Sequence, residues 1–208
     1  MHVIPQFGFD TDIYRRAEPR QPRAAGEPFT LGFIGRLKDN KGLDLLVEAL
    51  ASLPDYCRVV FIGNGPMKSI LEEQATRLGV RERVVFKGSI TTYEVPHAMQ
   101  DLDVFVLPSV TRPNWIEQFG RVLPEAMACE TPVIGSRSGE IPHVIDDAGL
   151  VFAEGNVQEL VTCVDKLLHD PALYASLASK GRQRVLENYT QEQIAKQTYQ
   201  VYQEMLGV

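Results

Sequence analysis

The sequence predicts an α/β domain built on a Rossmann-like, doubly wound parallel sheet of about six strands with helices on both faces. Short apolar runs recur along the chain, and they are near-continuously hydrophobic, as strands covered on both sides must be. Helical patterns separate them at the spacing of β-α-β units.

The apolar runs lie at residues 30–35, 58–63, 84–88, 104–108, 132–135 and 149–152. Between the first two, Leu43, Leu46, Val47 and Leu50 fall at i, i+3, i+4 and i+7, one face of a helix. Pro66 is predicted to open the next helix, where its missing N–H costs nothing. Leu160, Val164, Leu167 and Leu168 mark a later helix. Ile194, Thr198, Val201, Tyr202 and Met205 mark the last, at 191–206. Residues 15–28, RRAEPRQPRAAGEP, are polar and proline-rich and read as a surface connector.

Composition narrows the function. The chain has 208 residues, 44% hydrophobic and 23% charged, enough to bury a core without staples. Its formal charge of -6 argues against a nucleic-acid binder, so an anionic ligand must be met by a few local cations. Cys57, Cys129 and Cys163 are odd in number and far apart, which suits a reducing cytoplasm better than a disulfide or zinc framework. No apolar run approaches the roughly 20 residues needed to span a bilayer. The expected location is the cytoplasm, at the inner face of a membrane only through parts outside this chain.

In a doubly wound sheet, ligands bind beyond the carboxyl ends of the strands near the point where strand order reverses. The segments directly after each strand therefore carry the functional reading. After the first comes GRLKDNKG at 35–42, where Gly35 permits a sharp turn and Arg36 and Lys41 flank the helix start. Two such cations suit a diphosphate clamp, although spacing alone favours an ordinary solvated turn. After the second strand, Gly63 and Gly65 allow close backbone approach to a ligand, and they equally suit a tight turn with no ligand. Lys68 stands where a dinucleotide fingerprint wants its third glycine, so a nicotinamide cofactor loses support. Asp101 and Asp103 invite a metal, but they precede their strand and so sit at the wrong end of the sheet. No metal site is predicted.

The most informative stretch is EQFGRVLPEAMA at 117–128. Pro124 is tolerated only in the first turn of a helix, which places the start near Gly120 or Arg121. Glu117 then lies in the loop before the helix and Glu125 about one turn inside it. A carboxylate accepts two hydrogen bonds from a vicinal diol, so each can hold a ribose or a hexose. Free N–H groups at residues 119–122 would suit phosphate or sugar oxygens. Two helix-start glutamates stabilised by the helix dipole remain the other reading.

Together, GRLKDNKG at 35–42, FIGNGP at 61–66, VVFKG at 84–88, VFVLPS at 104–109 and EQFGRVLPEAMACETPVIGS at 117–136 resemble the C-terminal donor-binding domain of family 4 retaining glycosyltransferases of the GT-B fold. The resemblance covers almost the whole chain, and MHVIPQFGFD at its start resembles the family's interdomain connector. It implies binding of a nucleotide-diphosphate sugar and transfer of a hexose, with retention, to a glycan or lipid-linked acceptor. Arg36 and Lys41 would hold the diphosphate, Glu125 the ribose and Glu117 the transferred sugar. Gly35, Gly63 and Gly65 would line the cleft, and Ser89 and Ile90 would flank the base. Backbone groups of Phe119, Gly120 and Arg121 would approach sugar and phosphate, and Leu123 would belong to the donor-binding set. No cofactor or metal is implied.

Domain boundaries follow the resemblance: a lead-in at 1–28, the nucleotide-sugar domain at 29–190, and a helix at 191–208 that would brace an N-terminal acceptor domain or partner chain. Turnover is expected to need that second domain. The chain departs from the pattern at Gln118 and Glu130, where glycine is commoner, and at Gln6-Phe7-Gly8, where Asn-Gly is commoner. A non-catalytic nucleotide-sugar-binding module is the competing function. A sugar-nucleotide epimerase fits less well, for want of a complete acid–base set.

Overall fold

The computed structural model describes residues 4–5, 7–16 and 27–207. Six strands form one parallel sheet: β1 (Phe29–Ile34), β2 (Cys57–Ile62), β3 (Val84–Lys87), β4 (Val104–Leu107), β5 (Val133–Ser136) and β6 (Leu150–Phe152), in the order β3-β2-β1-β4-β5-β6. Every predicted strand appears, with boundaries within one residue. The order reverses between β1 and β4, where Leu31 pairs with Val104 and Gly32 with Phe105. Gly32 is required there, because a Cβ would stand 2.1 Å from a methyl of Leu102.

Eight α-helices accompany these strands among the described residues, five between them and three after β6. Helices α1 (Leu43–Leu50), α2 (Met67–Arg77) and α6 (Val157–His169) pack together on one face. Helices α3 (Val95–Gln100), α4 (Val122–Ala128), α5 (Ile141–Ile145) and α7 (Pro171–Asn188) cover the other. The predicted face of α1, Leu43, Leu46, Val47 and Leu50, is fully buried. Pro66 caps α2 from outside at φ -65°, already set for the helix. Asn156 starts α6 by accepting the Glu159 N–H, while its amide donates to the Glu159 carboxylate, a reciprocal cap.

Helix α7 went unrecognised in the sequence. Its buried positions, Leu177, Gly181 and Val185, form a stripe only one residue wide, too thin to stand out as a periodic face. Gly181 lets α7 press onto α4, where a Cβ would lie 3.3 Å from the Met127 side chain. The Asp170-Pro171 start was the legible signal, with Asp170 accepting the Leu173 N–H.

The final helix, α8 (Gln191–Leu206), matches its predicted span and contacts α7. It buries no residue fully, and Tyr199, Tyr202, Met205 and Leu206 are exposed. Residues 1–3, 6 and 17–26 of the predicted lead-in lie outside the described residues. The described part is tied down: Phe9 N–H donates to Tyr189 O, and Arg182 donates to the carbonyls of Thr11, Tyr14 and Ala128.

Helix α4 ends in a Schellman turn, with Thr131 N–H on Ala126 O and Glu130 N–H on Met127 O. Glu130 is left-handed at φ 56°, the position where glycine is commoner. A non-glycine residue there costs about 1 kcal/mol. Glu130→Gly should raise unfolding stability by about 1 kcal/mol in urea denaturation; an unchanged midpoint would show that the turn is not strained.

Candidate functional site

The loops after β1, β2 and β3 enclose a cleft of about 450 Å³ at the carboxyl edge of the sheet. It is lined by Gly35, Arg36, Gly63, Asn64, Gly65, Ser89 and Ile90, together with Ile34, Ile62 and Val95. Six predicted site residues thus meet in one cavity. Arg36 is exposed, and no acidic partner for it is found among the described residues. Asn64 donates to the Ser89 hydroxyl at 2.9 Å, joining the β2 and β3 loops across the floor.

Gly63 and Gly65 line the cleft, and what demands glycine at both is contact with protein backbone. A Cβ on Gly63 would lie 2.0 Å from Gly35 O, and one on Gly65 would lie 2.2 Å from Leu37 O. Their close approach is to the neighbouring loop. Gly35 N–H donates to Ile62 O and Leu37 N–H to Asn64 O, so the two loops are stitched into one rim.

Lys41 does not stand beside Arg36 in that cleft. Its ammonium lies 2.6 Å from Glu117 Oε2 and 4.7 Å from the centre of the Trp115 ring. Glu117 is only 9% exposed, and Ser109 Oγ donates to the same Oε2 at 2.9 Å. Oε1 has no partner among the described residues and is not sealed from solvent. The backbone of Glu117 is equally fixed: its carbonyl accepts the Glu140 N–H at 3.0 Å and presses on Gly139, where no Cβ would fit.

A third group gathers at the start of α4. Helix α4 begins at Val122, with Arg121 already helical and Pro124 inside the first turn, so the expected start is correct to within two residues. Glu125 is buried, and its Oε1 accepts from Arg121 Nε at 2.9 Å and, more weakly, from Tyr14 OH at 3.4 Å. Oε2 of Glu125 has no partner among the described residues. Neither have the N–H groups of residues 119–122. The Phe119 ring is committed to packing on Phe7 and Tyr189, and Arg121 lies over the rings of Phe7 and Phe9. Leu123 is fully buried with its N–H on Gly120 O, so it braces the turn and offers no side chain to a ligand.

Burial holds the Glu125 carboxyl above its usual range, opposed by the charge and hydrogen bond of Arg121. Burial, then Glu125 itself, pushes the Tyr14 phenol up to about 12. Asp103, the tempting metal ligand, accepts the Thr30 N–H at 2.7 Å at the opposite end of β1. Sequence reading missed Ser109 and Trp115. Ser109 directly follows β4, where the strand-end rule points, while Trp115 reaches Lys41 only because the chain doubles back through the Arg112–Trp115 bridge.

A sequence profile described as Glycosyl transferases group 1 matches residues 15–184. The chain belongs to that family. A GDP-mannose-dependent alpha-(1-6)-phosphatidylinositol monomannoside mannosyltransferase of Mycolicibacterium smegmatis is 36% identical over 203 residues, covering 90% of this chain and 52% of the relative. The C-terminal domain of a glycosyl transferase group 1 family protein from Francisella tularensis superposes with a TM-score of 0.75 at 27% identity, over 88% of this chain and all of that one. Anabaena HepE, solved in complex with UDP, shares the fold at a TM-score of 0.81 and 24% identity, over 97% of this chain and 56% of that one. This family member therefore has the GT-B type of Rossmann-like domain, and it spans about half the length of the curated relatives it matches.

The folded protein keeps a proton on Glu125 that the unfolded chain releases near 4.5, so this group lowers stability as pH rises through that value. The stability of the parent relative to Glu125→Gln should therefore fall in urea denaturation as pH rises above about 4.5. A pH-independent difference would show that Arg121 fully offsets the burial.

Proposed function

We propose that this chain is the donor-binding half of a retaining glycosyltransferase of family 4, acting in the cytoplasm with an N-terminal acceptor-binding domain or partner chain. The observation that carries this reading is the cleft itself: Arg36, free of any acidic partner among the described residues, opens into a cavity at the sheet edge of a group 1 glycosyltransferase domain. The bound UDP of Anabaena HepE and the GDP-mannose dependence of the mycobacterial relative support a nucleotide-diphosphate sugar as ligand.

In this reading Ser89 and Ile90 flank the base, Glu125 Oε2 accepts from the ribose, and Arg36 with Lys41 receives the diphosphate. Glu117 Oε1 accepts from hydroxyls of the transferred hexose. The bond from the anomeric carbon to the diphosphate breaks, and its electron pair leaves on the phosphate oxygen. Fixed cations stabilise that charge as it develops, so the leaving group needs no metal. The acceptor hydroxyl, on a glycan or lipid, attacks from the same face and passes its proton to the departing phosphate oxygen, which preserves the anomeric configuration. The second domain brings that hydroxyl, so turnover requires it, and in this reading α8 braces that domain.

Calorimetry with UDP, GDP and ADP tests the reading directly. One of them should bind, and Arg36→Ala combined with Lys41→Ala should lose at least ~2 kcal/mol, since charged hydrogen bonds are worth about 1.5–3 each. If the double variant binds as well as the parent, the clamp is misplaced. The affinity should also survive EDTA; a large loss restored by Mn²⁺ would make the site metal-dependent.

A further inference from the structure

We propose that Ser109 is a positioning residue for sugar recognition, holding Glu117 in place when Lys41 is drawn to the diphosphate. The inference rests on the sugar role proposed for Glu117. It starts from an asymmetry in the carboxylate: Lys41 Nζ and Ser109 Oγ both donate to Oε2, and Oε1 receives neither. Two donors fill the acceptor sites of Oε2 and set the plane of the carboxylate, so Oε1 is the oxygen presented to a ligand.

The two donors are not equivalent. Lys41 is a flexible, partly exposed cation whose charge an incoming diphosphate competes for. Ser109 is fully buried and neutral, so an added anion has no claim on it. Its own carbonyl accepts from the buried Ser136 hydroxyl at the end of β5. The flanking backbone is locked to the loop that carries Lys41: Val110 N–H donates to Asn40 O at 3.0 Å, and Gly42 sits so close to Pro108 O that a Cβ would fall 2.1 Å from it. Ser109 therefore keeps its grip on Oε2 in the presence of the phosphates, at the moment when Lys41 is shared. Without the hydroxyl, Glu117 follows Lys41, and Oε1 leaves the sugar.

The role separates the two ends of the donor. Ser109→Ala should bind the nucleoside diphosphate within about twofold of the parent and the nucleotide sugar about tenfold more weakly, the order expected for one hydrogen bond to a charged group. The probes are UDP with UDP-glucose and GDP with GDP-mannose, titrated calorimetrically into the same chain. In a Glu117→Ala background, Ser109→Ala should change nothing further for the sugar. Ser109→Cys, close in size and a weaker donor, should fall between parent and Ala, and it replaces Ala if that variant does not fold.

A general packing role for Ser109 would weaken both ligands equally or persist without Glu117, and either result overturns the proposal. If the parent binds no diphosphate, the donor-binding reading falls and takes Ser109 with it. If the parent gains affinity from the sugar and Ser109→Ala keeps that gain, only the Ser109 assignment falls.

Discussion

Everything at the ligand edge depends on β1 and β4 lying side by side in the middle of a parallel sheet. From that seam the chain winds outward in both directions, β1 toward β3 and β4 toward β6. Parallel pairing sends every strand-end loop to one edge, and the reversal parts the loops on its two sides. Lys41 follows β1, Ser109 and Glu117 follow β4, and the three come together because their strands are neighbours. The seam is narrow: Gly32 leaves no side chain against Leu102, and β1 and β4 pair over two residues.

Local electrostatics at that edge contrast with the chain as a whole. A net charge of -6 repels anions at long range, and screening confines it to about 8–10 Å. Inside that distance the site holds its carboxylates against cations: Glu117 with Lys41, Glu125 with Arg121. Each glutamate keeps one oxygen engaged within the protein and one without a partner among the described residues. The engaged oxygen fixes the geometry, and the other is left for hydroxyls. Preorganisation of this kind removes the need to order the side chain when a ligand arrives.

Much of the fold was legible because its strands are buried on both faces, which leaves continuous apolar runs with sharp ends. All six strands, and the spans of α1 and α8, follow from that and from helical periodicity. Helix α7 escaped because it touches the core along Leu177, Gly181 and Val185 alone. At the site, residue identity and order along the chain pointed to the strand-end loops, and six of the chosen residues line one cleft. Partnerships across the sheet were invisible: nothing in the spacing says that Lys41 meets Glu117, or that Gly63 is a glycine because of Gly35 O. Such pairs depend on strand order, and strand order is a property of the whole sheet.

The contact between Lys41 and Trp115 has a practical consequence. Trp115 is the single tryptophan among 208 residues, so the ultraviolet emission of the whole protein comes mainly from an indole with an ammonium 4.7 Å from its centre. Indole emission responds to nearby charge, which makes the protein its own unlabelled gauge of where that ammonium sits. A change of colour or brightness would register the lysine's departure in real time, on the millisecond scale of a stopped-flow trace.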